Sequence, residues 1–168
     1  MQWQPHVDAL VLSHALRLTA SILRMANKRI LVATDGSDNA MRALEYAIER
    51  VTEAGGSEIH LLTVHPALRV YGEVQVYVSR ERMRDLAEAH DRAVLLPAVE
   101  RLRRSGVRFT SESLEGDPAM LIAQRADELG CSEIVLGSHG WSVVASLVMG
   151  SVATKVVHLT RLPVTLVK

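Results

Sequence analysis

From Arg29 onward, short unbroken apolar runs alternate with longer stretches in which apolar residues recur every third or fourth position. Ile30-Leu31-Val32-Ala33 is apolar throughout, as a strand covered on both faces requires, and it ends at Thr34-Asp35-Gly36-Ser37. Met41, Leu44, Ala47, Ile48 and Val51 then fall on one face of a helix, with Ser37 or Asp38 as N-cap and Gly55-Gly56 as its stop. Ile59 to Val64 reads as a second strand. Residues 65–78 form an excursion broken by Pro66 and Gly72, where the alternation of Val74, Val76 and Val78 suggests a flap or short hairpin. Ser79 to Arg104 predicts a long charged helix that Pro97 should kink or split, ending at Gly106. Val107 to Ser111 alternates as a half-buried strand. Asp117-Pro118 pairs an N-cap with proline at the first helical position, and Leu121, Ile122, Arg125, Ala126 and Leu129 carry that helix to Gly130. Glu133 to Gly137 is a fourth strand, residues 138–150 a glycine-bounded loop, Ser151 to Leu159 a helix, and Pro163 to Val167 the last strand.

Five strands alternating with four helices predict an α/β fold: a five-stranded parallel sheet, Rossmann-like, with helices on both faces. In such sheets ligands sit beyond the C-terminal strand ends, where the strand order reverses. Two of those ends, 34–37 and 137–140, are rich in Gly, Ser and Asp. Residues 1–27 stand apart from this 28–168 domain as an N-terminal helical extension. There Val7, Leu10, Val11, His14, Leu18, Ile22 and Met25 are spaced as an amphipathic helix, while Asp8, Ser13, His14 and Arg17 break the apolar run a signal peptide would need. The segment reads as an add-on helix packing on the domain or on a partner, or as sequence ahead of a true start at Met25.

Composition narrows the function classes. A chain of 168 residues and 18.5 kDa is one domain that needs neither disulfide nor metal to fold. Lys+Arg and Asp+Glu are 19 each, and this zero balance argues against a nucleic-acid partner. With Trp 2, Tyr 3 and Phe 1, a base-stacking platform for single strands is also disfavoured. Cys131 stands alone, so no intrachain disulfide forms, and it reads as a small buried residue. The histidines show no metal-ligand spacing; His60 and His65 fall on opposite faces of their strand and are expected to be satisfied or exposed. No apolar run is long enough to span a membrane, and the simplest compartment is the cytosol.

The chemistry concentrates in Gly137-Ser138-His139-Gly140, followed after nine residues by Gly150-Ser151. Glycines let a main chain approach an anion closely and reach positive φ, and a helix opening at Gly150-Ser151 offers unpaired N–H groups and the positive end of its dipole to phosphate. The hydroxyls of Ser138 and Ser151 add donors. The plainer alternative is that Gly137 and Gly140 only shape a surface turn. A G-x4-G-K-[ST] phosphate loop is absent, and Lys155 lies one turn into the last helix. Asp35 and His139 are the titratable groups nearest this chemistry, too few for an efficient phosphoryl-transfer site. No catalytic set and no metal set emerges. The residues thus favour a nucleotide binder with little or no turnover, its ligand ordering the 138–150 loop and the 65–78 flap.

Gly137-x2-Gly140-x9-Gly150-Ser151 resembles the nucleotide-binding signature of the universal stress proteins. The resemblance covers roughly residues 28–168 and includes Ile30 to Ser37, Leu61 to Val64 and Leu162 to Val167. It implies strand order 3-2-1-4-5, which places the ends 34–37 and 137–140 side by side. By position it implies that Asp35 is the acidic residue beside the nucleotide and that the main chain of Val64 faces adenine. Gly137 and Gly140 match the loop holding ribose and phosphates, Ser138 and His139 its variable slots, and Gly150, Ser151 and Val152 the phosphate-binding helix start. Trp141 takes a slot where the family often has a basic or small residue. Retention of the small residues is similar to the ATP-binding branch, implying ATP or another adenine nucleotide as ligand, with or without Mg2+, in a stress-response or regulatory module. It also implies a homodimer joined through the last strand at Val164 and Leu166. A nucleotide-free adaptor or dimerisation module of the same fold is the alternative. A related α/β transferase would need a strong base or a metal site, which the sequence does not offer.

Overall fold

A computed structural model of the chain describes residues 28–66, 80–140 and 149–168. The N-terminal extension, the 67–79 part of the expected flap and residues 141–148 with Trp141 lie outside the described residues. The elements are β1 (Arg29–Ala33), α1 (Asp38–Ala54), β2 (Glu58–His65), α2 (Arg80–Ser105), β3 (Arg108–Glu115), α3 (Pro118–Glu128), β4 (Glu133–Gly137), α4 (Ser151–Leu159) and β5 (Val164–Val167). The strands form one parallel sheet in the order β3-β2-β1-β4-β5, so the direction of winding reverses between β1 and β4.

Alternation along the central strands sends side chains to two separate cores. Ile30, Val32, Ile59, Leu61 and Val135 face α1 and α2, where Leu44, Ala47, Val51, Ala98 and Leu102 cover them. Leu31, Leu62, Ile134 and Leu136 face α3 and α4, covered by Ala119, Ile122, Ala126, Ala153 and Val156. Beyond their first residues, Arg29 and Glu133, β1 and β4 carry no polar side chain because they are covered on both faces; β3 and β5 sit at the edges and have no fully buried residue. Cys131 is buried, and that burial pushes its thiol up to about 11, which keeps it protonated at neutral pH. Among the described residues no helix is long and apolar enough to cross a membrane.

Two expectations need correction. α2 runs through Pro97 without being split in two. Pro97 is exposed, while Val94, Ala98 and Leu102, spaced at four, are buried and hold both halves of the helix to the sheet. The lost hydrogen bond therefore faces water. β3 continues past Ser111 to Glu115, because β2 reaches His65 and offers a parallel partner along that whole length. Its second half reads as polar because it is an edge strand whose side chains are tied laterally. Buried His60 bonds Thr110 Oγ1 at 2.7 Å and Glu112 Oε1 at 2.8 Å. Arg125 of α3 clamps the same Glu112 through two hydrogen bonds, of 2.7 and 2.9 Å. Ser113 donates to Asp91 at 2.5 Å, and His65 Nδ1 lies 3.0 Å from Asp91 Oδ1, close enough to pair but misaligned for a hydrogen bond.

Candidate functional site

The site begins where β1 ends. Thr34 N–H donates to Leu62 O at 2.9 Å and closes the last rung with β2. The chain then turns back on itself: Thr34 Oγ1 accepts from Gly36 N–H at 3.1 Å, Asp35 Oδ1 from Ser37 N–H at 3.0 Å, and Ser37 Oγ from Ala40 N–H at 3.3 Å. Ser37 is thus the N-cap of α1, and Asp38 is the first helical residue. Gly36 sits at φ +79°, a conformation that disfavours any side chain. The turn consumes one oxygen of the Asp35 carboxylate. The other, Oδ2, faces Gly140: a Cβ placed on that glycine would lie 2.3 Å from it.

The end of β4 supplies the second side. A Cβ at Gly137 would come within 2.9 Å of Ala40 N and Asn39 C, so the absence of a side chain there lets the start of α1 rest on β4. Asn39 Nδ2 donates to His139 O at 3.2 Å and ties the same helix start to the loop. Ser138 is buried, its N–H bonded to Val167 O at 2.7 Å and its hydroxyl paired with His139 Nδ1 at 2.9 Å. Gly150 N–H donates to Ser138 O at 2.8 Å, which holds the two glycine-bearing stretches against each other. Positive φ is found at Gly36, Gly55, Gly56, Gly106, Gly116 and Gly130, and not at Gly137, Gly140 or Gly150. The expectation that this loop uses glycine for its dihedral freedom is corrected: these three provide space.

α4 opens onto that space. Its N-cap, Gly150, has no side chain to bond the first turn, and the first intrahelical bond is Thr154 N–H to Gly150 O at 2.9 Å. The N–H groups of Ser151, Val152 and Ala153 therefore have no carbonyl partner within the helix, and the dipole adds positive potential there. In contrast, α1 and α3 are capped by the side chains of Ser37 and Asp117. Ser151 and Val152 are exposed at the cleft. Of the two serines expected to offer hydroxyls, Ser151 is the open one and Ser138 is already engaged.

These parts enclose a cleft of about 300 Å³. Each residue singled out in the sequence lines it: Asp35 and Val64 from the ends of β1 and β2, Gly137, Ser138, His139 and Gly140 from the end of β4, and Gly150, Ser151 and Val152 from the head of α4. Sequence reasoning had Thr34 only as part of the 34–37 strand end and missed Pro118 and Ile122, which join Ala33, Ala40, Leu136 and Ala153 in the wall. In the sequence Pro118 and Ile122 signal only a helix start and its apolar face; the strand order is what shows that this helix flanks the cleft. No lysine or arginine is among the described lining residues. Nor do the described residues contain a group of three His, Cys, Asp or Glu arranged to hold a metal ion.

A model of the universal stress protein family matches residues 26–168. The chain belongs to that family. Universal stress protein YxiE of Bacillus subtilis is 33% identical over 150 residues, covering 86% of this chain and 100% of its own length. Among solved structures, the hypothetical protein MJ0577 superposes with a TM-score of 0.72 at 27% identity, over 84% of this chain and 95% of its own. The universal stress protein from Archaeoglobus fulgidus in complex with dAMP superposes with a TM-score of 0.58 at 26% identity, over 84% of this chain and 98% of its own. The Rossmann-like sheet with order 3-2-1-4-5 agrees with the fold of these universal stress proteins.

Proposed function

We propose that this universal stress protein acts in the cytosol as a regulatory module whose cleft binds an adenine nucleotide, ATP above all, with slow or no hydrolysis. One observation carries the reading: the N–H groups of Ser151, Val152 and Ala153, which have no carbonyl partner within the helix, open onto a cleft that Gly140 and Gly150 keep clear of side chains. Phosphate fits that end, and the Ser151 hydroxyl adds a donor. Val64, Pro118, Ile122 and Leu136 give the apolar wall that a base requires. Asp35 accepts hydrogen bonds and repels phosphate, so it suits a ribose hydroxyl. It is also the one carboxylate among the described lining residues, which fits a Mg2+ held mainly by the phosphates and water. Such an ion would neutralise phosphate charge. The relative solved with dAMP supports the ligand class.

Turnover has little to work with. No lysine or arginine is among the described lining residues, and His139 Nδ1 is held by Ser138. Two or three hydrogen bonds to charged oxygen, at about 1.5–3 kcal/mol each, together with a buried base give roughly micromolar affinity. Calorimetric titration of the full chain with ATP, with adenosine as the phosphate-free control, tests this. Saturable binding of ATP and much weaker binding of adenosine is expected. Absence of heat at millimolar ATP sinks the proposal and favours the nucleotide-free adaptor.

The same module is proposed to dimerise through β5. The carbonyls of Pro163 and Val167 accept from Ile134 and Ser138 at 3.0 and 2.7 Å, so by alternation the main-chain groups of Val164 and Leu166 point to the open edge of the sheet. Their side chains pack against the α3–α4 core. The two residues therefore offer main-chain pairing, and an edge of this kind invites a second copy.

A further inference from the structure

The nucleotide reading leaves unused a cation, Lys155, on the helix whose first turn lines the cleft. Lys155 follows Ser151 by four residues on α4, so the two share a helix face. A rise of 1.5 Å per residue puts their Cα atoms about 6 Å apart along the axis, within reach of an extended lysine, and helical side chains lean toward the N-terminus. That is the end whose first-turn N–H groups face the cleft. Lys155 Nζ lies 3.8 Å from Asp117 Oδ2, at the long limit of an ion pair, with the two side chains 63% and 44% exposed. A loose surface pair of this kind holds its partners weakly. Asp117 keeps a second duty without the lysine: its Oδ1 accepts Met120 N–H at 3.0 Å and caps α3. The next residue, Pro118, lines the cleft. The pair thus joins the head of α3 to the middle of α4 beside a cleft whose described lining has neither lysine nor arginine.

We infer that Lys155 reads the length of the phosphate chain: it leaves Asp117 and pairs with phosphates beyond the first, so that the site prefers nucleoside di- and triphosphates to monophosphates. Asp117 is the competing anion that holds the lysine when no such phosphate is present. A monophosphate, held by the first turn of α4, leaves the pair in place. The inference rests on the adenine-nucleotide reading of the cleft and adds to it the residue that sets phosphate number.

Calorimetry of the full chain with AMP, ADP and ATP tests it in the wild type and in Lys155→Gln, Lys155→Arg and Asp117→Asn. Lys155→Gln should weaken ATP about tenfold, the loss of one charge-assisted contact, and leave AMP within about twofold. Lys155→Arg should restore the ATP preference. Asp117→Asn keeps an N-cap residue but removes the competing charge, so ATP should bind several-fold more tightly with AMP unchanged. Melting curves should match the wild type for both lysine variants, since the side chain is exposed. An ATP-to-AMP affinity ratio that does not move in Lys155→Gln, or one that moves in neither lysine nor aspartate variant, overturns the role of Lys155 and leaves the cleft reading standing. A wild type that binds none of the three nucleotides overturns both.

Discussion

Gly137 and Gly140 lie three residues apart in one motif, yet their surroundings demand opposite outcomes when each becomes alanine. At Gly137 the new methyl would sit 2.9 Å from main-chain atoms of Ala40 and Asn39, which are locked into the start of α1 and cannot rotate away. Either α1 lifts off β4 or the strand end bends. Overpacking of this kind costs about 1–3 kcal/mol, partly offset by about 0.4–1 kcal/mol from a less flexible unfolded chain. At roughly 2–4 °C per kcal/mol for a chain of this size, the melting temperature should fall by a few degrees. At Gly140 the methyl would meet Asp35 Oδ2 at 2.3 Å, the far end of an exposed side chain. That oxygen can retreat to ordinary contact, beyond 3.4 Å, by rotating outward, which loosens the Asp35 Oδ1 bond to Ser37 N–H, and Gly140 has no positive φ to strain. Loosening that bond costs about 1 kcal/mol and the less flexible unfolded chain returns about 0.4–1 kcal/mol, so stability should stay within about 1 kcal/mol of wild type. The displaced carboxylate, however, no longer meets the ligand. Losing a hydrogen bond with a charged partner, about 1.5–3 kcal/mol, should weaken ATP by roughly 10- to 150-fold. Thermal denaturation followed by circular dichroism and ATP calorimetry on both variants form the assay. Gly140→Ala melting as low as Gly137→Ala, or binding ATP like the wild type, would refute the division of labour between the two glycines.

Other consequences can be checked separately. Ser151→Ala should weaken ATP by about 1 kcal/mol, roughly fivefold, without moving the melting temperature, because the hydroxyl is exposed at the cleft; unchanged calorimetry would remove it from the phosphate contacts. Leu166→Pro takes an N–H from the open edge of β5 while sparing its bonds to β4, so light scattering should show the dimer shifting toward monomer. A dimer of wild-type strength in a folded variant would place the interface elsewhere. The hydrogen bonds from Arg125, and after the opposing effect of burial that from His60, hold the Glu112 carboxyl below the usual carboxylate range. Its folded value lies below its unfolded one, so its contribution is present above the ordinary carboxylate pKa, about 4.3, and is lost as pH falls through the folded value. Between about pH 5 and pH 3 the melting temperature of the wild type should drop faster than that of Glu112→Gln; parallel curves would show that this cluster contributes nothing to acid sensitivity.

Period alone made most of the fold legible. Ile30 to Ala33 and Ile134 to Leu136 are apolar without interruption because both faces of β1 and β4 are covered, and runs this short between glycine-marked turns have no room for a buried helix. Helix starts were legible where a side chain caps them, as at Ser37 and Asp117. Legibility fell at the edge of the sheet. Ser111 to Glu115 has no apolar alternation because its polar side chains are satisfied by His60, Arg125 and Asp91, which come from elements 22 or more residues away, or 13 in the case of Arg125. No local window contains those partners.

The site was legible through its glycines, but not the reason for each. Gly137 answers to a helix main chain, Gly140 to a carboxylate, and Gly150 to the carbonyl of Ser138 at 3.2 Å, and one letter stands for all three. What separates them is the crossing between β1 and β4. It brings the start of α1 against the end of β4, and the residues that follow β4 against the head of α4. A side chain at the first of these contacts would be paid for in folding; at the others it would meet the groups that shape the cleft. The tolerance of each glycine to substitution therefore depends on whether its neighbour can move. The Asp35 carboxylate can, and the α1 main chain cannot, so binding and stability should part company within a single four-residue loop.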